Sequence, residues 1–209
     1  MSEMKKIKNL KEFSTSADRF EGANLLCPGC AHSIIVREVL NATNDDLILS
    51  ASTGCLEVCT AVYPYTSWDA SWIHIGFENG STAVAGAESM YKALKTKGRL
   101  KQPDRNPKFV SFAGDGASYD IGFQWISGCM ERGHNMMHVV LDNEVYANTG
   151  GQRSSSTPIG SSTTTAPAGS VSYGEKKNKK DMIAIMAAHQ IPYAAQVAPN
   201  KWKDMVKKI

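Results

Sequence analysis

Phe109-Val110-Ser111-Phe112-Ala113-Gly114-Asp115-Gly116 is the stretch on which the fold turns. A short apolar run with strand character passes straight into two glycines flanking an aspartate, and a helical pattern is predicted to begin about four residues later. In an open α/β sheet, ligands bind at the carboxyl ends of strands, where helix N-termini offer free amide donors to phosphate. Glycine lets backbone approach a diphosphate closely, and Asp115 supplies the hard oxygen that Mg²⁺ prefers. Alone, Gly-Asp-Gly also marks ordinary turns, so the surroundings must decide.

Outward from this stretch, apolar runs alternate with helical patterns, which predicts an α/β domain with a mainly parallel sheet and helices on both faces. The candidate strands are Leu47 to Ala51, Trp72 to Gly76, Phe109 to Ala113, Met137 to Leu141 and Ala194 to Val197. Ser81 to Lys95 and Ile121 to Arg132 read as crossover helices, and Asp181 to His189 and Lys201 to Lys208 as helices around the last strand. Ser154 to Ser172, rich in Ser, Thr, Gly, Pro and Ala, has the composition of a linker. Its place directly behind the densest motif is equally that of an ordered loop over a ligand.

The strand Met137 to Leu141 ends in Asp142-Asn143-Glu144-Val145-Tyr146, with Asn143 placed 28 residues after Asp115. A strand-helix-strand unit needs about that length, so Asn143 is expected beside Asp115 at adjacent strand ends. This pair of motifs resembles that of thiamine-diphosphate enzymes. The resemblance implies that Asp115, Asn143 and the carbonyl of Val145 hold Mg²⁺ while Gly114, Gly116 and Ala117 line the diphosphate. The longer stretches Gly114-Asp115-Gly116-Ala117-Ser118-Tyr119-Asp120-Ile121-Gly122 and Glu144-Val145-Tyr146-Ala147-Asn148-Thr149-Gly150-Gly151-Gln152 are similar to the 2-oxoacid:ferredoxin oxidoreductases. In that family the residue matching Asn148 lies beside the reactive thiazolium carbon, as a catalytic group, with Thr149 at the cofactor. A turn after an edge strand is the bland rival for this run.

Cys27-Pro28-Gly29-Cys30 puts two thiols on a tight turn, and Thr53-Gly54-Cys55 follows a predicted strand. Spacing alone leaves zinc, a redox disulfide and an iron-sulfur cluster open. The family resemblance implies that Cys27, Cys30 and Cys55 are three of four ligands of a 4Fe-4S cluster, and that Gly54 and Cys55 also touch the cofactor. The family's fourth ligand comes from a cysteine near the C-terminal end, and no cysteine follows Cys129 here. A missing C-terminal segment is therefore expected, with Cys59 and Cys129 read as buried apolar residues. His32 either orients the cysteine turn or reaches a cluster sulfide, and Tyr63-Pro64-Tyr65-Thr66 either borders the active site or forms a surface turn.

The resemblance further implies CoA-dependent oxidative decarboxylation of pyruvate to acetyl-CoA and CO₂, with electrons passed to ferredoxin. An alpha subunit is implied as the source of the pyrimidine-side glutamate and the substrate arginine, beside gamma and ferredoxin-like delta subunits. The alternatives are another 2-oxoacid (2-oxoisovalerate, indolepyruvate or 2-oxoglutarate), a non-redox thiamine lyase or synthase, and a zinc-stabilised interaction module. The chain is 42% hydrophobic over 209 residues, enough for one substantial domain. An extension over residues 1–20 and one domain over 21–209 are expected, with a cysteine segment at 27–55 and an active-site loop at 144–174. A net charge of +3, with lysines gathered in Lys5 to Lys11 and Lys176 to Lys208, reads as a solvated surface rather than a nucleic-acid face. No run reaches the roughly 20 apolar residues that span a bilayer, and no secretory signal precedes the domain. A cytoplasmic protein is expected, whose odd count of five cysteines agrees with thiols kept out of disulfides.

Overall fold

The computed structural model describes residues 10–15 and 18–209. Most of the expected extension and of the first lysine run lies outside the described residues. In chain order the elements are α1 (Leu10–Thr15), α2 (Ala31–Asn41), β1 (Leu47–Ser52), α3 (Cys55–Thr60), β2 (Ser71–Ile75), α4 (Gly80–Thr96) and β3 (Lys108–Gly114). A π-helical turn (Gly116–Ile121) leads into α5 (Phe123–Glu131). β4 (Met137–Leu141), a small hairpin of β5 (Val145–Tyr146) and β6 (Gln152–Arg153), then α6 (Met182–Ala187) and α7 (Trp202–Lys208) complete the chain.

Four strands pair in the order β2-β1-β3-β4, all parallel, with Ala51 opposite Phe112 and Gly114 opposite Leu141. Helices cover both faces. Strand periodicity sends Leu47 and Leu49 of β1 and Val110 and Phe112 of β3 to one side, where α2 supplies Val36, Val39 and Leu40. Phe20 and Trp68 close this core edge-to-face, with ring centroids 4.9 Å apart. Each fully buried Leu or Phe here contributes about 1.5–3 kcal/mol.

The other face carries serines, and this lets a helix come close. Ser50 Oγ donates to the Gly80 carbonyl at 2.8 Å. A side chain at Gly80 would collide with Ser52 Oγ and come within 3.2 Å of Ser111 Oγ, so glycine is what lets α4 start directly on β1 and β3. Beyond α4, Phe123, Ile126 and Met130 of α5 meet Val140 of β4 and Met182 and Met186 of α6.

One predicted strand does not form. Ala194 to Val197 is irregular, half-buried to exposed chain leading into α7. Two alanines and one valine bury too little apolar surface to hold a further strand against the sheet. The π-helical turn also begins at once after Asp115, earlier than the four-residue gap predicted, and such turns favour functional sites.

His32 and His138 each bury an Nδ1 that lacks a hydrogen-bond partner. Burial pushes both imidazoles below their ordinary value of 6.5, His138 to about 4. The unfolded chain therefore takes up protons at a pH where the folded chain does not. Their contribution to stability is complete above pH 6.5 and is lost as pH falls toward 4. Thermal melts at about pH 7.5 and about pH 5 should show a lower midpoint in acid, with a smaller drop in His138→Gln. An unchanged drop in that variant would remove His138 as a cause.

Candidate functional site

β1 runs back to β2 on one side, whereas β3 leads on to β4 on the other, so the direction of winding reverses between β1 and β3. Ligand crevices open at such a reversal, outside the carboxyl ends of the strands. Two segments meet there: Thr53-Gly54-Cys55 after β1, and Gly114-Asp115-Gly116-Ala117 after β3. Thr53 is fastened to the end of β2 through Oγ1, which donates to the Ile75 carbonyl at 3.0 Å.

Asp115 is only 2% exposed. Ser154 Oγ donates to its Oδ2, which leaves Oδ1 facing Asn143. One amide atom of Asn143 lies 3.0 Å from Asp115 Oδ1 and 2.6 Å from the Val145 carbonyl oxygen. With its nitrogen there, Asn143 donates to both; with its oxygen there, three oxygens form one small triangle. Octahedral Mg²⁺, at about 2.0–2.1 Å from each ligand, sets neighbouring oxygens about 2.9 Å apart. Two sides of the triangle, 3.0 and 2.6 Å, lie near that spacing, so the donor set fits a hard divalent cation.

Glu144, between the two other donors, adopts a left-handed conformation with φ 68°. The bend is held from both ends: Thr157 Oγ1 donates to its carbonyl at 2.6 Å, and Lys179 Nζ to its Oε1 at 3.1 Å. Burial raises the Asp115 carboxyl to about 6, and neighbouring Asp142 adds to this, while the Ser154 hydroxyl opposes it. A cation held by this carboxylate would compete with a proton for it. Mg²⁺ affinity should fall as pH drops through about 6, approaching tenfold per unit below it, because each cation displaces one proton. Calorimetric titration at several pH values checks this; a flat profile would show that Asp115 is not the titrating ligand.

Ser154, Ser155, Ser156 and Thr157, all buried, bind the motif residues one by one. Beyond the contacts of Ser154 and Thr157, Ser156 Oγ donates to Asp142 Oδ1 at 2.6 Å, and the Ser155 N–H to Asp120 Oδ2 at 3.0 Å. Tyr146 OH donates to the same Asp120 oxygen at 2.9 Å, and Lys179 Nζ to Asp142 Oδ2 at 2.8 Å. Lys180 Nζ donates to the Tyr119 carbonyl at 2.5 Å. Lys179 and Lys180 of the second lysine run thus pair with site carboxylates, while the run otherwise keeps the exposed face expected of it. The loop was expected to lie over a ligand, but no side chain of Ser154–Thr157 was given a role from the sequence, although four consecutive hydroxyl residues behind the motif are a usable signal. Ser154→Ala should weaken cation affinity by about tenfold, since it frees the far oxygen of a ligating carboxylate. Titration of the variant checks this, and parental affinity would refute it.

The Tyr146 ring lies flat over Gly116, where any Cβ would penetrate it. Ala117 is buried behind that glycine. Asn148 and Thr149 occupy the exposed turn between β5 and β6, closed by the Gly151 N–H donating to the Tyr146 carbonyl at 2.9 Å. Gly150 (φ 112°) and Gly151 (φ 82°) supply the positive φ that this turn needs. Thr149 Oγ1 donates to Gln152 Oε1, while the Asn148 amide has no hydrogen bond among the described residues. Tyr63-Pro64-Tyr65-Thr66 is a surface turn, with Tyr63 95% exposed.

The Cys27–Cys30 turn closes through the Cys30 N–H donating to the Cys27 carbonyl at 2.9 Å. It is tied to α3 just upstream, where the Leu25 N–H donates to the Cys59 carbonyl at 2.9 Å. Burial raises the Cys55 thiol, and Cys59, Cys30 and Cys27 raise it further; burial and then Cys27 and Cys30 do the same to Cys59. Four thiols therefore share one neighbourhood. Cys59 is not the buried apolar residue expected: it is partly exposed and one helical turn from Cys55, on the same side of α3. Cys129 is buried in α5. Among the described residues, no three Cys, His, Asp or Glu side chains converge on a single ion.

A reversing parallel sheet with a glycine-rich turn at the reversal is the α/β architecture in which a phosphate-bearing ligand meets strand ends and backbone amides. Residues 52–209 match the C-terminal TPP-binding domain of thiamine pyrophosphate enzymes, and the chain belongs to that family. It is similar to the pyruvate synthase subunit PorB of Methanocaldococcus jannaschii, with 49% identity over 88% of this chain and 61% of the relative. The corresponding subunit of Thermotoga maritima is 43% identical over 96% of this chain and 64% of the relative. The ketoisovalerate oxidoreductase subunit VorB of Pyrococcus furiosus is 38% identical over 92% and 61%. A solved 2-oxoglutarate:ferredoxin oxidoreductase from Magnetococcus marinus shares the fold, with a TM-score of 0.69 at 23% identity over 98% of this chain and 63% of that one. The chain thus spans a little under two thirds of the length of these relatives. Among the described residues no helix is long and apolar enough to cross a membrane.

Proposed function

We propose that this chain is the thiamine-diphosphate-binding subunit of a pyruvate:ferredoxin oxidoreductase, working in the cytoplasm with alpha, gamma and ferredoxin-like delta subunits. The observation that carries this reading is the meeting of two donor sets at neighbouring strand ends. Hard oxygens from Asp115, Asn143 and Val145 follow β3 and β4, and thiols from Cys27, Cys30 and Cys55 gather after β1. A non-redox thiamine enzyme needs only the first set, and a zinc module only the second. The chain's similarity to pyruvate synthase subunits favours pyruvate; the VorB relative keeps 2-oxoisovalerate as the second reading.

Thiamine diphosphate, when bound, supplies the nucleophilic carbon that attacks a 2-oxoacid carbonyl and releases CO₂. The chain's own residues do the rest of the work on this side. Asp115, Asn143 and the Val145 carbonyl would hold Mg²⁺, and the turn at Gly114, Gly116 and Ala117 would line the diphosphate. Gly54 and Cys55 border the same crevice. Asn148, with Thr149 beside it, offers an amide to the substrate oxygen as charge builds there. Cys27, Cys30 and Cys55 would hold the 4Fe-4S cluster that takes electrons one at a time. The reading assigns residues 1–20 to an extension, 21–209 to the domain, 27–55 to the cluster segment and 144–174 to the loop over the site.

The test is reconstitution with candidate partner subunits, followed by reduction of ferredoxin on pyruvate, 2-oxoisovalerate, indolepyruvate and 2-oxoglutarate in turn, with coenzyme A. The highest kcat/KM is expected with pyruvate. Decarboxylation without ferredoxin reduction would point to the non-redox enzyme. Zinc without iron in the anaerobically prepared chain would point to the interaction module.

A further inference from the structure

We infer that Arg153 and Glu175 form a clasp that positions the turn bearing Asn148, by tying the end of β6 to the far end of the loop that follows it. The inference rests on the role proposed above for Asn148 and concerns what holds that residue in place. No residue from Ser154 to Gly174 is charged, yet an arginine and a glutamate bracket this run. Their side chains meet. Arg153 Nε donates to Glu175 Oε2 at 2.6 Å, and Glu175 is only 6% exposed. Its other oxygen, Oε1, accepts from the Lys177 N–H at 2.6 Å. Burying such a pair desolvates both charges, so each depends on the other staying in place.

The loop between them has two halves with different anchors. Ser154, Ser156 and Thr157 donate to Asp115, Asp142 and the Glu144 carbonyl. The second half folds back onto the hairpin instead. The Thr164 N–H donates to the Gly151 carbonyl at 3.0 Å, and Thr165 Oγ1 accepts from the Arg153 N–H at 2.9 Å. Glu175 itself closes the base of this half: the Gly160 N–H donates to its carbonyl at 2.8 Å, and its own N–H to the Ser161 carbonyl at 2.9 Å. Gly174, with φ 87°, lies so close to the Ser161 carbonyl that a side chain would collide with it. Glu175 therefore joins the base of the fold-back to β6 through its backbone and its carboxylate together.

Asn148 lies on the exposed turn of that hairpin, and its amide makes no hydrogen bond among the described residues. What holds the turn is the hairpin, and what holds the hairpin from the loop side is Thr164, Thr165 and the clasp. Misplacing a reacting group by about 1 Å can cost about 100-fold in rate. Arg153 and Glu175 are thus positioning residues, acting on the reaction through Asn148.

Two measurements test this. On the chain alone, hydrogen exchange read by NMR should be faster in Glu175→Ala by about tenfold or more at the Gly151 and Thr164 amides, while amides of β1 and β3 keep the parental rate, which shows that the variant folds. In the reconstituted complex with pyruvate, Glu175→Ala and Arg153→Ala should each lower kcat by about 10- to 100-fold. KM and magnesium-dependent cofactor affinity should stay within about threefold of the parent. The double variant should be no slower than either single, because it leaves no charge unpaired. Glu175→Gln, which keeps an acceptor for Arg153 Nε and the Lys177 N–H, should recover part of the rate. Asn148→Ala should cost far less in the Glu175→Ala background than in the parent. Full additivity of those two changes, or parental exchange at Gly151 and Thr164, would overturn the inference. So would a loss of cofactor affinity as large as the loss of kcat, which would put the clasp among the supports of the cation. If Asn148→Ala left kcat unchanged in the parent, the proposed role of Asn148 would fall, and the exchange rates would still decide whether the clasp holds the turn.

Discussion

Asp115→Ala is expected to lower magnesium-dependent affinity for thiamine diphosphate by at least about 100-fold, or about 2.7 kcal/mol. Asp115 is the one carboxylate in the oxygen triangle; Asn143 and Val145 contribute neutral dipoles. Without it the cation loses its charged anchor, and the negative diphosphate faces Asp142 with less positive charge between them. The folded chain itself should tolerate the change. A buried carboxyl already raised to about 6 is costly to ionise, so alanine removes a strained charge, though Ser154 Oγ loses its acceptor. The expected signature is an unchanged or slightly higher melting midpoint together with lost cofactor binding. Parental cofactor affinity in a magnesium titration would sink the site assignment. A collapsed melting midpoint would show instead that Asp115 acts mainly in the fold.

The parts of this site that a sequence exposes are those whose geometry is local. Gly114-Asp115-Gly116 and Asn143 could be brought together on paper because a strand-helix-strand unit has a nearly fixed length, and parallel pairing of β3 with β4 puts their ends side by side. Ser154–Thr157 gives no such handle. Its hydroxyls donate to partners 13 to 39 residues away, and nothing in a run of serines states which carboxylates it will meet. Composition reads it as linker, whereas burial against Asp115, Asp120 and Asp142 makes it the frame of the site. Lys179 and Lys180 were hidden in the same way. A lysine run defaults to solvent until two carboxylates, brought near by the fold, turn it inward.

Cys59 and Ala194 to Val197 show a different limit. A cysteine one turn after another reads from the sequence as a buried apolar residue, and only the packing around α3 leaves it partly exposed. That packing depends on contacts between residues 21–25 and 59–67, 34 to 46 residues apart. For Ala194 to Val197 the residue types allow a strand, but pairing also needs enough apolar surface to hold the segment on the sheet. A short run with two alanines does not supply it.

Asn148→Ala should leave magnesium-dependent cofactor affinity within about twofold of the parent and lower kcat by about 100- to 1000-fold, the range for losing one donor to a developing oxyanion. The geometry separates the two effects. Asn148 sits on the exposed β5–β6 turn, held in shape by glycines and by the Thr149–Gln152 contact, and its own amide supports nothing in the fold. It is also outside the oxygen triangle, so removing it leaves the cation's donors untouched. An amide N–H gains most from a substrate oxygen when that oxygen carries charge, so its loss acts on the transition state more than on the bound ground state. KM for the 2-oxoacid should therefore change far less than kcat in the reconstituted complex. Asn148→Asp should be worse than alanine, because a second negative charge beside the developing oxyanion repels it. Asn148→Gln, which keeps the donor on a longer arm, should recover part of the rate. If Asn148→Ala instead lost cofactor affinity and kept its turnover, the residue would belong to the cofactor's grip and not to the chemistry.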